Sequence, residues 1–189
     1  MSINLSKGER ISLSKEAPGM KKAIVGLGWD VNVSDTGSDF DLDVSVFMLG
    51  VNGKIPQEQY FVFYNNLKSA DGAVESMGDS RTGKGEGDDE TVTVDLSNVD
   101  STIEEIIFVV TIYEADQRRQ NFGQVRNSYI RIYDGESQEE ITKYELEEDF
   151  SRETAIEFGK LYKKSGEWKF QAVGEGYNSG LESFAQKYA

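Results

Sequence analysis

Short runs of β-branched and aromatic residues recur along this chain, and turn-forming pairs separate them. That rhythm restricts the fold more than any other feature. The runs cover residues 22–31, 40–49, 60–64, 90–96, 106–113, 129–133, 141–146, 155–162 and 167–173. Residues 91–94 alternate as Thr-Val-Thr-Val, the period of a half-buried strand. Residues 106–113 are apolar nearly throughout and rich in Ile and Val, which predicts a strand buried on both faces. Asn52-Gly53, Asp71-Gly72, Asp134-Gly135 and Ser165-Gly166 supply turns between runs. Many short strands with such turns predict an all-β fold, an antiparallel β-sandwich.

One helix is predicted near the C-terminus, where Leu181, Phe184, Ala185 and Tyr188 follow helical spacing. A single helical turn is expected over 102–106. Residues 68–89 carry little apolar content and read as one long loop. Loops of that length in a compact domain usually serve a function or lack order. At 189 residues with 38% hydrophobic content, one domain spanning 1–189 is expected.

The acids give the chain its chemistry. Asp39, Asp41 and Asp43 alternate with Phe40, Leu42 and Val44. In a strand the three carboxylates share one face and the apolar groups the other. No Lys or Arg occurs between Ala23 and Gly53, while Asp30 and Asp35 add further negative charge. A solvated acidic face is the alternative reading, but such faces ordinarily mix both signs. A second acidic segment spans 78–90, with Asp79, Glu86, Asp88, Asp89 and Glu90 around Gly83, Gly85 and Gly87. Crowded carboxylates repel unless a cation lies among them. Glycine lets backbone carbonyls turn toward that cation. With no His and no Cys, the donors are hard oxygens, which suit calcium.

Neither segment is an EF-hand. Counting from Asp39, the sixth and twelfth positions are Val44 and Gly50; counting from Asp79, the third is Arg81. A calcium site would instead join separate segments. Gly26-Leu27-Gly28 lacks the third glycine of a dinucleotide fingerprint, and Gly83-Lys84-Gly85 lacks the spacing of a phosphate loop. Without His or Cys, Ser-His-Asp and Cys-His catalysis are excluded, and no other catalytic constellation is recognisable. Trp29 and Trp168 read as core, and Arg118-Arg119 as a solvated pair or a partner contact. Thirty-four acids against 20 bases give a net charge of −14, which argues against nucleic acid and anionic membrane as partners. No apolar run approaches membrane-spanning length, so no direct membrane insertion is expected. The start, Met1 to Leu5, lacks signal-peptide character, and with the absence of cysteine this predicts a cytoplasmic location.

Several segments together resemble the TerD family of tellurium-resistance and general-stress proteins. They are Val25-Gly26-Leu27-Gly28-Trp29-Asp30, Asp39-Phe40-Asp41-Leu42-Asp43, Phe63-Tyr64-Asn65-Asn66, the 78–90 segment, Phe108-Val109-Val110-Thr111-Ile112, Gly123-Gln124-Val125 and Glu167-Trp168-Lys169-Phe170. The resemblance implies a calcium-binding β-sandwich active in bacterial stress responses. It implies that Asp30, Asp41, Asp43, Asn65 and Asn66 form one part of the calcium site, and Asp79 with Asp88, Asp89 and Glu90 the other. One or more calcium ions are expected, with two as the favoured number. The expected role is an interaction module ordered by calcium, with other stress or tellurium-resistance proteins as partners, membrane-associated ones included. A metal-dependent enzyme using the cation as a Lewis acid, and a small-ligand module with a structural calcium, are the alternatives.

Overall fold

In the computed structural model, which describes residues 1–30, 40–78, 87–148 and 150–189, twelve strands form two six-stranded sheets. The first sheet holds β1 (Ile3–Leu5), β3 (Lys22–Asp30), β6 (Val74–Ser76), β7 (Glu90–Asp95), β9 (Arg126–Asp134) and β10 (Glu140–Glu145), in spatial order β1-β10-β9-β3-β7-β6. The second holds β2 (Arg10–Ser12), β4 (Leu42–Gly50), β5 (Phe61–Val62), β8 (Ile103–Ile112), β11 (Ala155–Lys164) and β12 (Glu167–Tyr177), in order β2-β12-β11-β8-β4-β5. All pairings are antiparallel except β1 with β10 at one edge. The antiparallel sandwich read from the sequence is therefore present, with one parallel edge strand added.

Strand periodicity builds the core. Val25 and Leu27 on β3, Val92 and Val94 on β7, and Ile130 and Ile132 on β9 project inward. They meet Leu42, Val44, Val46 and Met48 of β4 and Phe108 and Val110 of β8. The β11–β12 hairpin turns on Ser165 (φ 56°) and Gly166 (φ 74°). Two central residues of positive φ suit the twist of a tight hairpin, and Gly adopts such a φ without a Cβ clash.

Both faces of β8 are buried, as the apolar run predicts. Ile107 and Val109 point away from the inter-sheet core into a second cluster with Phe47, Leu49 and Ala155. The C-terminal helix α3 (Leu181–Tyr188) closes that cluster with Phe184 and Tyr188. Two very short helices, α1 (Leu13–Glu16) and α2 (Ala115–Arg118), lie in connections.

Some local readings are corrected. The helical turn expected over 102–106 is strand, because β8 starts at Ile103. The Asp100 carboxylate accepts from the Thr102 amide at 2.8 Å and its hydroxyl at 2.7 Å, a side-chain turn that feeds an extended chain. The 68–89 stretch is not loop throughout: Val74–Ser76 pairs with β7. Its entry is fixed by Asp71, which accepts from the Ser69 hydroxyl at 2.6 Å and the Ala73 amide at 3.0 Å. Of the run 60–64, only Phe61–Val62 is strand.

Candidate functional site

Among the described residues, an acid from each of the two predicted segments comes to one shared cavity. Phe40, Leu42 and Val44 are buried in the core, and Asp41 and Asp43 are part-exposed on the opposite face, as alternation requires. The Asp41 carbonyl accepts from the Tyr113 amide at 2.8 Å. Asp43 sits opposite Thr111 of β8. On β7, Glu90 has the same inward parity as Val92 and Val94 and is only 4% exposed. Asp43 and Glu90 line one cavity of about 290 Å³, together with Tyr64, Leu67, Ser76 and Gly78. Residues 47 positions apart in sequence thus share a solvent-reachable, acid-lined space.

Next to this lies the root of the second segment. The Asp89 amide donates to the Leu27 carbonyl at 2.8 Å, and the Asp89 carboxylate accepts from the Trp29 amide at 2.9 Å. Burial pushes the Asp89 carboxyl above its ordinary value, the Trp29 amide opposes this, and the charges of Asp88 and Asp30 add to it. Negative charge is therefore crowded here. Asp30 itself accepts from the Asn127 side-chain amide.

Asp88 has a role that its place in the sequence does not signal. Both of its oxygens are held by the Arg131 guanidinium, at 2.8 and 3.0 Å, and one also accepts from the Tyr129 hydroxyl at 2.9 Å. This is a bidentate, charge-assisted pair around a carboxylate that is 5% exposed. Arg131 continues to Glu140 at 3.0 Å, and Glu140 accepts from the Ser2 hydroxyl at 2.6 Å. The hydrogen bonds to Asp88 raise the guanidinium's pKa above its already high value, so it stays charged. Burial raises the Tyr129 phenol, and donation to Asp88 keeps it neutral.

Gly26 and Gly28 make this arrangement possible. A Cβ at Gly26 would overlap the Asp88 carboxylate, and one at Gly28 the Tyr129 ring. Alternate glycines inside a strand signal a close approach from outside the sheet, and that signal is present in the sequence. The partner, Arg131, carries no comparable mark. Gly26→Ala is expected to displace Asp88 and to cost about 1–3 kcal/mol by overpacking, read as a lower midpoint in urea unfolding. A midpoint equal to that of the unmodified chain would contradict the close packing.

The other predicted residues are less convergent. Asn66 spends its side-chain amide on the Phe61 carbonyl at 2.7 Å, fixing the tight turn in which Phe63 and Asn66 exchange backbone bonds of 3.0 and 2.9 Å. Asn65 is exposed in the same turn. Asp39, Asp79, Gly83 and Gly85 lie outside the described residues. Among the described residues, no group of three or more acidic side chains is arranged to hold a metal ion. Asp43 and Glu90 share a cavity, Asp30 and Asp89 are near enough for their charges to interact, and Asp88 is paired with Arg131. No helix among the described residues is long and apolar enough to cross a membrane.

The sequence model of the TerD domain matches residues 1–188. The chain is 54% identical to the tellurium resistance protein TerD of Serratia marcescens, over 100% of this chain and 97% of that protein. It is 52% identical to general stress protein 16U of Bacillus subtilis (strain 168), again over 100% of this chain and 97% of the relative. A solved structure described as a homologue of telluride resistance protein (TerD), from Streptomyces coelicolor A3(2), superposes with a TM-score of 0.69 at 26% identity. That alignment covers 88% of this chain and 96% of the solved one.

Proposed function

This chain belongs to the TerD domain family, and we propose that within it the chain acts as a calcium-binding stress-response protein, a non-catalytic interaction module. The observation that carries the proposal is the cavity shared by Asp43 and Glu90, where two acidic segments far apart in sequence converge. Asp30 and Asp89 would provide further carboxylate oxygens, and Asp41 lies on the same strand face as Asp43. Calcium accepts six to eight oxygens in flexible geometry, so donors from several segments suit it. The bound ion would offset the repulsion among the carboxylates drawn to it and so hold that end of the sandwich in one arrangement. The partners proposed are other stress or tellurium-resistance proteins, in the cytoplasm.

A second reading, a small-ligand module, is favoured by one observation. A cavity of about 400 Å³ beside Asp30 is lined by Trp29, Asn127, Tyr129, Lys143 and Glu145, a mixture of donors, acceptors and aromatic surface.

Calcium is expected to raise the stability of the chain by about 2.7 kcal/mol at a hundredfold excess over its dissociation constant. Thermal melts in chelator and in calcium measure this. Asp43→Ala is expected to remove most of the gain. Asp134→Ala is the matched control: Asp134 accepts the Glu136 amide at 2.8 Å in the β9–β10 turn, and its substitution removes the same charge elsewhere. An unchanged midpoint in calcium would end the calcium reading. An equal gain in both variants would show diffuse acidity rather than a site.

A further inference from the structure

Among the described residues, six large apolar side chains are at least 45% exposed; Met1 lies at the N-terminus and Val51 in the turn after β4, whereas three of the others belong together. Tyr64 (58%), Leu67 (50%) and Met77 (60%) gather at one rim of the sandwich. Tyr64 and Leu67 line the Asp43–Glu90 cavity, and Met77 stands between Ser76 and Gly78 of its wall. The Ser76 amide donates to the Leu67 carbonyl at 2.8 Å and the Met77 amide to the Thr91 carbonyl at 2.9 Å, so backbone bonds fix both segments. Tyr113, 45% exposed, belongs to the same end through its bond to Asp41.

Tyr64 is held from beneath. Its ring packs edge-on against Phe63 at 5.1 Å; Phe63 stacks on Phe61 at 4.3 Å, and Phe61 on Phe47 at 4.4 Å. Phe47 is fully buried under α3. An exposed aromatic anchored to the core by a ring stack loses little side-chain freedom when a partner covers it. Tyr and Met are enriched where proteins dock. Apolar groups around a cavity also differ from the isolated exposed residues that any surface carries.

We propose that Tyr64, Leu67 and Met77 form a docking surface, beside the proposed ion site, for a basic polypeptide segment of a partner protein that also carries apolar side chains. The apolar trio defines the apolar part of the occupant. Charge defines the rest: a chain of net charge −14 attracts a cationic segment and repels a second copy of itself. Two dications would offset only a minor part of that charge. The inference deepens the interaction-module reading and rests on it.

The test uses the full chain and labelled synthetic dodecapeptides, read by fluorescence anisotropy with calcium present. One peptide alternates Lys and Leu, a second Lys and Ser, a third Glu and Leu. The Lys–Leu peptide is expected to bind at least about tenfold more tightly than either of the others. The triple substitution Tyr64→Ser, Leu67→Ser, Met77→Ser is expected to weaken Lys–Leu binding by at least about tenfold. If the triple variant melts early, Met77→Lys alone serves, since it sets a positive charge against the peptide and is expected to weaken it too. Equal binding of the Lys–Leu and Lys–Ser peptides, or of the original and substituted chains, overturns the proposal in favour of diffuse attraction. Concentration-dependent dimerisation that the triple substitution abolishes overturns it in favour of a second copy. Calcium melts on the same two proteins keep the readings apart. A calcium gain with no effect of the substitutions on peptide binding removes this surface alone. No calcium gain in either protein removes the calcium reading and leaves the peptide comparison valid.

Discussion

Replacing Arg131 with methionine is expected to destabilise the chain by about 2–3 kcal/mol. Removing one partner of a buried ion pair costs about 3–5 kcal/mol, because the other charge stays buried and uncompensated. Asp88 is that other charge, 5% exposed under the outer face of β3. The guanidinium is 30% exposed, so water recovers part of the loss and the lower figure applies. Methionine keeps most of the aliphatic stem, so packing alone does not account for the change. Urea unfolding measures it. Asp88→Asn is expected to be destabilising as well, and the double variant to lose less than the two single losses combined, because both remove the same contacts. Additive losses would show that the two side chains do not act as a pair. A loss under about 0.5 kcal/mol for Arg131→Met would place the ion pair among ordinary surface bridges.

Phe184→Ala is expected to cost about 3–4 kcal/mol, near the usual figure for truncating a buried aromatic. Phe184 is 2% exposed and meets Tyr177 edge-to-face at 4.9 Å. It fills the second cluster beside Phe47, Ile107 and Val109, so its loss opens a cavity over the centre of the second sheet. The helix around it is eight residues long, too short to persist without packing. Amide exchange along 181–188 is therefore expected to speed up more than exchange in β3 or β9. The Glu157 carboxylate, which accepts from Tyr188 at 3.2 Å and Tyr177 at 3.5 Å, depends on the same docking. If the variant unfolds within about 1 kcal/mol of the original chain, α3 is a surface attachment rather than the cover of a core.

The candidate site is legible in the sequence in proportion to how local its signals are. The alternation of Asp41 and Asp43 with Phe40, Leu42 and Val44 is enough to assign them to opposite faces, and the fold keeps that assignment. Acid crowding singles out both Asp43 and Glu90, while the cavity they share is a tertiary fact. Family resemblance points to Asn66, yet its amide serves the turn it sits in. Asp88 looks the same as Asp89 in sequence, as either carboxylate could face a cation. Asp89 bonds to β3 backbone, and Asp88 to a guanidinium 43 residues away.

The strand-rich class, the buried central strand, the C-terminal helix and the family all follow from the order of residues along the chain. Each depends on periodicity, turn chemistry or a set of short motifs, which are properties of neighbouring residues. Three other outcomes were set by packing alone: which carboxylates have a guanidinium partner, which apolar side chains stay exposed around the cavity, and that α3 is the element covering Phe47 and Leu49 on the β4 face that bears Asp43. Those outcomes depend on what packs against a strand from a distant part of the chain. Period-2 alternation reports only that two faces differ; it carries no information about the element that covers each one.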